Sequence, residues 1–286
     1  MAVTDGKIQL EDADLNQIEI SVPVFGYKTT ILLPFDIQKL DTGLYGIYDH
    51  GASYDIRKCN CTFMLSATEM NTLNTFLKED NISTSKGRAY NVTLRMNTGS
   101  GFFPYGADKG DVGDFTTAMT FTKHGSVGES PFNYFICDVE MVNVGTFPAY
   151  VLPAEVSDGA FTFGTITECR FPPDWFSPAI NYGYYATIKQ NSTVEWIDRG
   201  ENADWFETQF DFRSNESKTA AVINYITGTS RGGAFNIATP AGYRPFGSDI
   251  GDGTFSVRLI QDKIEITHHE YNLFSFPITL SYESTV

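Results

Sequence analysis

Apolar positions along this chain change period only once before the pattern starts again. Ile18, Ile20 and Val22 alternate with polar residues, as a half-buried strand requires. A second strand is predicted over residues 27–35, ended by Pro34. A polar stretch rich in Gly, Asp and Tyr then runs to about residue 53, and a third strand over residues 54–65. There the period lengthens. Ser66 and Glu69 have the Ser-x-x-Glu spacing of a capping box, in which each side chain satisfies the other's free backbone N–H. Met70, Leu73, Phe76 and Leu77 follow as one apolar stripe of a helix, and the polar run 78–86 stops it. Alternation then returns at Tyr90, Val92 and Leu94, at Phe115, Thr117, Met119 and Phe121, and at Phe135, Cys137, Val139 and Met141. Residues 1–15 are polar and acidic and read as an N-terminal arm.

The same series recurs in the second half. Gly101-Phe-Phe-Pro-Tyr-Gly-Ala-Asp-Lys-Gly-Asp-Val-Gly-Asp-Phe115 has a twin in Gly242-Tyr-Arg-Pro-Phe-Gly-Ser-Asp-Ile-Gly-Asp-Gly-Thr-Phe255. Gly101, Pro104, Gly106, Asp108, Gly110 and Asp111 return as Gly242, Pro245, Gly247, Asp249, Gly251 and Asp252. Phe102 and Tyr105 become Tyr243 and Phe246; one residue drops out, and Gly113 and Phe115 then match Gly253 and Phe255. Upstream, Gly87-Arg-Ala-Tyr-Asn-Val92 lies against Gly232-Gly-Ala-Phe-Asn-Ile237, and Phe63 against Phe212. Downstream, Phe132-Asn-Tyr-Phe135 lies against Tyr271-Asn-Leu-Phe274. A second helix is expected to open at Ser214 or Asn215, with Glu216 in its first turn and Val222, Ile223 and Ile226 on its stripe. Strands follow at Phe235 and Ile237, at Phe255, Val257 and Leu259, and at Phe274, Phe276, Ile278 and Leu280. A period near half the chain is far longer than a solenoid unit. It reads as two fused homologous domains, 16–147 and 148–286, joined near residues 145–153. The expected fold is mainly β: two tandem antiparallel sandwich or barrel domains, each with one inserted helix.

Composition narrows the function. Twenty-three Phe and 15 Tyr between turn signals fit a β-rich chain, and 286 residues suffice for two cores. The net charge of −15 is shared by both halves, so no basic patch is available to grip nucleic acid. The N-terminus shows no secretory pattern and no apolar run reaches membrane-spanning length, so a cytoplasmically made, membrane-free protein is expected. Cys59, Cys61, Cys137 and Cys169 are then expected to be reduced and buried.

Candidate chemistry is sparse. No nucleophile elbow or phosphate-binding loop occurs, so neither an enzyme nor a cofactor is expected. Asp108, Asp111 and Asp114 offer the clustered oxygens that Ca²⁺ prefers, yet only two recur in the twin, and Asp-Gly is ordinary turn chemistry. His268 and His269 are adjacent, so on a strand they face opposite ways and cannot share one metal ion. Residues 171–206 hold Trp175, Trp196 and Trp205 and differ most between the halves. They offer an alternative reading as a glycan-binding tail-tip or adhesin surface. The twin loop supplies the interface candidates: Phe102, Pro104, Tyr105, Asp108 and Asp111, with Tyr243, Pro245, Phe246, Asp249 and Asp252.

A strand-rich domain with one inserted helix, present twice in tandem, resembles the tube-domain family of bacteriophage tails, which includes tail tube, distal tail and baseplate hub proteins. The resemblance is architectural and brings no functional residues with it. It implies a virion protein assembled in the host cytoplasm, a homotrimer whose six similar domains imitate a six-fold ring. It also implies contacts with neighbouring tail or baseplate proteins, and a channel through which DNA passes without being gripped. An acidic surface suits such a channel.

Overall fold

The computed structural model describes residues 3–39, 45–51, 54–78, 90–97, 99–121, 134–152, 154, 160–169, 179–181, 184–188, 194–198, 205–247 and 250–283. In the first half the strands are β1 (Lys7–Glu11), β2 (Gln17–Ser21), β3 (Lys28–Leu32), β4 (Phe35–Lys39), β5 (Tyr45–Asp49) and β6 (Ile56–Ser66). Helix α1 (Ala67–Lys78) precedes β7 (Tyr90–Met96), β8 (Gly113–Phe121) and β9 (Tyr134–Asn143). In the second half β10 (Phe161–Phe163), β11 (Ile166–Cys169), β12 (Ala179–Asn181), β13 (Tyr184–Ile188), β14 (Val194–Asp198) and β15 (Trp205–Ser214) lead to α2 (Glu216–Asn224). A π-helical turn, Tyr225–Ser230, continues α2. Then come β16 (Phe235–Ala238), β17 (Thr254–Leu259), β18 (Lys263–Glu270) and β19 (Leu273–Glu283). The fold is mainly β, as the alternation predicts.

Among the described residues, fifteen strands make one antiparallel sheet in the order β11-β10-β16-β17-β19-β18-β3-β6-β9-β8-β7-β1-β2. β15 lies on the other edge of β19, and β12 pairs with β15. The hairpins β4-β5 and β13-β14 stand apart as two-stranded sheets. Two apolar cores form: one on β1, β2, β6–β9 and α1, the other on β10, β15–β19 and α2, which also takes in Ile31, Leu33, Phe35, Phe103 and Ala107 from the first half.

Positions matched by the sequence repeat occupy matching places in the ladders. Phe63 pairs with Cys137, and Phe212 with Phe276; Met119 pairs with Met141, and Leu259 with Leu280. β12 on β15 repeats β3 on β6: Leu32 faces Ile56 as Asn181 faces Trp205. One match shifts. Sequence sets Val92 against Ile237, but Ile237 faces Phe255 as Leu94 faces Phe115, so the strands align two residues further on. A slip of two keeps every side chain on its face, whereas a slip of one would invert them.

The helices start where capping chemistry dictates. Glu69 N donates to Ser66 Oγ at 3.3 Å and Ser66 N to Glu69 Oε2 at 3.0 Å, the reciprocal pair expected of the box. Met70, Leu73, Phe76 and Leu77 are all buried. Asn215 rather than Ser214 caps α2, accepting from Lys218 N at 2.9 Å, while Ser214 is the buried last residue of β15. Val222, Ile223 and Ile226 are buried as predicted.

Glu69 does more than cap. It also takes an ion pair from Lys7 and hydrogen bonds from Ser21 N at 3.0 Å and Ser21 Oγ at 2.7 Å, fastening α1 to β1 and β2. Burial opposes its ionisation, but these donors outweigh burial and bring its pKa down to about 2. A carboxylate whose folded pKa lies below the ordinary 4.5 stabilises fully above 4.5 and loses that contribution as pH falls towards 2. Glu69→Gln is therefore expected to cost about 1–3 kcal/mol at pH 7 and to flatten the acid limb of stability between those pH values. Urea titrations across that range check it.

Three expectations need correction. Residues 7–11, read as part of a polar arm, are the strand β1 between β2 and β7. Ile8 and Leu10 are fully buried, and the acids around them occupy the other face or the turn. The polar stretch after Pro34 contains the hairpin β4-β5, with Ile37 opposite Ile47. The single strand expected over 27–35 ends at Leu32, and β4 begins at Phe35.

Candidate functional site

The twin loops share a backbone. Gly106 and Gly247 have φ of 100° and 101°, and Gly110 and Gly251 have 79° and 84°, a region closed to most side chains. Asp111 accepts from Gly101 N at 3.1 Å, and Asp252 accepts from Gly242 N at 2.5 Å, so one carboxylate closes each loop at its neck. Tyr105 packs on Phe115 at 5.6 Å between ring centres, and Phe246 on Phe255 at 5.2 Å. The recurrence of Gly, Pro, Asp and aromatic positions thus reflects loop geometry.

Their surroundings differ sharply. In the first loop Phe102, Pro104, Tyr105, Asp108 and Asp111 are all buried within the chain, so they are not on its free surface as the interface reading expected. Phe102 and Tyr105 belong to the first core and Asp108 is held by Arg57, while the second half covers the rest of the loop. Phe103 meets the rings of His268 at 5.5 Å and Phe274 at 5.4 Å, and the Tyr271 ring lies over Gly101. From its own half Tyr27 receives Phe103 N at 2.9 Å, and Thr29 Oγ1 donates to Pro104 O at 3.1 Å. In the second loop Tyr243 and Asp252 are exposed, Pro245 and Phe246 are buried, and Asp249 lies outside the described residues.

Beside the first loop runs the seam between the halves. β18 pairs with β3 from Lys263↔Leu32 to Thr267↔Lys28, and the ladder extends through Gly26 N to His268 O at 2.7 Å and His268 N to Tyr27 O at 3.1 Å. His268 sits at its end among Phe25, Tyr27, Phe103 and Phe274, stacked on the last at 4.5 Å. Among the described residues neither ring nitrogen finds a hydrogen-bond partner. Burial first, and then the neighbouring His269 charge, pull its pKa down to about 4. His269 faces the other way, exposed, with Ser275 Oγ at 2.6 Å from Nε2. The linker reinforces the join. Tyr150 OH donates to Glu216 at 2.6 Å, and Arg231 of the second half pairs with Asp49 of β5.

Under the first loop lies a buried ion pair that the sequence did not signal. Arg57 donates from both terminal nitrogens to Asp108, at 2.6 and 2.7 Å, and to Tyr105 O at 2.7 Å. Its Nε reaches Asp55 at 2.6 Å, and Lys109 also binds Asp55 at 2.8 Å. The Phe147 ring lies 5.4 Å from the guanidinium carbon and 4.5 Å from Lys109 Nζ. Asp114 pairs instead with Arg95 at 2.9 Å, so the three acids considered for Ca²⁺ have three separate employments. Among the described residues no three His, Cys, Asp or Glu side chains gather as a metal site.

The tryptophans do not share one element. Trp196 is in β14 opposite Ala186, Trp205 in β15 opposite Asn181 and Glu283, and Trp175 lies outside the described residues. All four cysteines are buried free thiols. No described helix is long and apolar enough to cross a membrane.

Comparison with known families and curated proteins is negative. No family model matches the chain, and no curated protein does either.

The twin glycines give a paired test of this geometry. A Cβ on Gly110 would fall 2.3 Å from the Tyr150 ring, whereas one on Gly251 meets nothing within 4 Å. Both positions have positive φ, so both alanine variants carry backbone strain of about 1–2 kcal/mol. Only Gly110→Ala adds a clash. It is expected to lose about 1–3 kcal/mol more than Gly251→Ala, as read from denaturation midpoints of the two variants.

Proposed function

We propose that this chain is a structural protein of a bacteriophage tail, a tube, distal tail or hub component, and that three copies close a ring around a DNA channel. In this reading the chain is a tandem duplication of one barrel-like unit. Shared ladder registers and shared loop closure support the duplication. Barrel-like curvature is supported where Val24 N, just after β2, donates to Thr62 O of β6 at 2.9 Å, bringing the far edge of the first half back to its start.

The observation that carries the proposal is the seam. Two similar units are joined edge to edge in one sheet, β18 on β3, with no other element between them. Joining equivalent edges from unit to unit covers every edge only when the series closes, which is the economy of a ring. Net charge of −15 suits a lumen that DNA slides through without sticking.

The solution mass and negative-stain images of the purified chain test this. Particles of three times 31.8 kDa with a pseudo-six-fold outline, or stacked hollow tubes, are expected. A chain that stays monomeric at high concentration, and forms no ring with other tail proteins, refutes it.

A further inference from the structure

On the outward face of the second half, three hydroxyls and a guanidinium share a cleft that no acid lines among the described residues. β17 sends Phe255, Val257 and Leu259 into the core and leaves Thr254, Ser256 and Arg258 on the other face. β19 alternates likewise. Its Ile278 and Leu280 are in the core, so Ser281 points outward, directly opposite Arg258 in the ladder. Thr254, Ser256, Arg258 and Ser281 line a cleft of about 320 Å³ beside the start of β16. Ser281 is 1% exposed, which puts its hydroxyl at the floor.

Neither central group is used by the fold. Ser281 Oγ is buried without a hydrogen-bond partner. Such a hydroxyl lowers stability, and a ligand is one of the few things that accounts for keeping it. The Arg258 guanidinium makes no ion pair or hydrogen bond among the described residues, in a chain with 35 acids against 20 bases. Glu207 faces Ser281 from β15, so the whole of β19 separates it from Arg258. The first half shows what the ladder itself requires. There Ala118 faces Val142 in the register by which Arg258 faces Ser281. Two apolar side chains serve the sheet at that place, so packing does not explain the arginine and the serine.

We infer that this cleft binds a phosphate group. A tetrahedral oxyanion accepts several hydrogen bonds at once, and a guanidinium offers it paired N–H donors strengthened by charge. Hydroxyls complete the shell, since each can turn its proton towards the anion. The net charge of −15 opposes casual anion binding, so occupancy depends on these short contacts. At about 30 Å³ for each water the cleft has room for about ten, more than a bare ion displaces. A phosphate monoester therefore fits as well as free phosphate. The site lies away from the seam and does not depend on the ring reading.

Titration calorimetry of the purified chain with inorganic phosphate and with ribose 5-phosphate, against sodium chloride at matched ionic strength, tests it. The expected result is saturable binding of the phosphate compounds and none of chloride. Arg258→Ala, which copies Ala118 of the first half, is expected to weaken binding by about tenfold or more. Ser281→Ala is expected to weaken it by about three- to tenfold while leaving the denaturation midpoint of the free chain unchanged or raised, since no contact is lost. Arg213→Ala removes an exposed arginine elsewhere on the same face and is expected to leave binding as it was. Tighter binding of the ester assigns the phosphate to an organic molecule, and equal binding assigns the free ion. No saturable binding of either overturns the inference. An equal loss in Arg213→Ala also overturns it, because the effect is then one of net charge. So does a Ser281→Ala chain that is destabilised yet binds like the parent, because the hydroxyl then serves the fold.

Discussion

Asp108→Ala is expected to destabilise the chain by about 3–5 kcal/mol, the usual cost of stranding one member of a buried ion pair. Arg57 is 1% exposed, and its two terminal nitrogens would lose their bidentate acceptor with no route to bulk water. Asp55 remains on Nε, so the guanidinium keeps one charge partner and the loss falls short of removing all compensation. Urea denaturation of the variant at pH 7 measures the effect, and a change below about 1 kcal/mol would contradict it. Replacing both members with leucine is expected to recover most of the loss, because an apolar pair of similar volume carries no desolvation debt. The second half changes only the arginine position, since Asp108 returns as Asp249. Phe206 occupies the place of Arg57, and its ring packs with Tyr282 at 6.3 Å, which in turn meets Phe246 at 5.2 Å.

Lowering the pH from about 6.5 to 4 is expected to weaken the chain through His268 alone by about 3 kcal/mol, at about 1.4 kcal/mol per pH unit. The sign follows from where the proton binds. Unfolded, His268 takes a proton near 6.5; folded, it resists until about 4, because the imidazole is buried among four rings. Between those values the unfolded state binds more protons, so stability falls as pH falls, and it levels off below 4. Glu69 adds its own loss below 4.5, so the two windows barely overlap. His268→Phe is expected to abolish the slope between pH 6.5 and 4.5 while keeping the stacked contact with Phe274. Denaturation midpoints at pH 7 and 4.5 for both proteins decide this; an unchanged slope would locate the sensitivity elsewhere. Because His268 ends the β18-β3 ladder, its protonation strikes the join between the halves first.

What the sequence made legible was local. The Ser66-Glu69 box, the stripe Met70-Leu73-Phe76-Leu77 and the twin glycines each state their geometry within a few residues. What stayed hidden depends on distant partners. β1 reads as polar because Ile8 and Leu10 are its strongest apolar signals, and their burial requires β2 and β7, the latter more than 80 residues on. Arg57 and Asp108 are 51 positions apart, and no spacing rule joins them. His268 drew notice beside His269 as possible metal chemistry, but its surroundings come from β3 and the segment before it, the first loop and β19. In the first loop Phe103 meets Phe274 across the halves, and Tyr105, one of the interface candidates, fills the first core. Composition and periodicity say that a surface will be covered; they do not say by which part of the molecule.

The seam leaves the two halves no hinge. Five consecutive residue pairs tie β18 to β3, and Phe103, Tyr150 and Arg231 pin the join on either side. Swinging one half about the linker would have to break that ladder before any side chain repacked, so the motion left is the gradual twist that a continuous sheet permits. A load on one half therefore passes to the other through backbone hydrogen bonds pulled along the strands, and the mechanical unit is the whole chain.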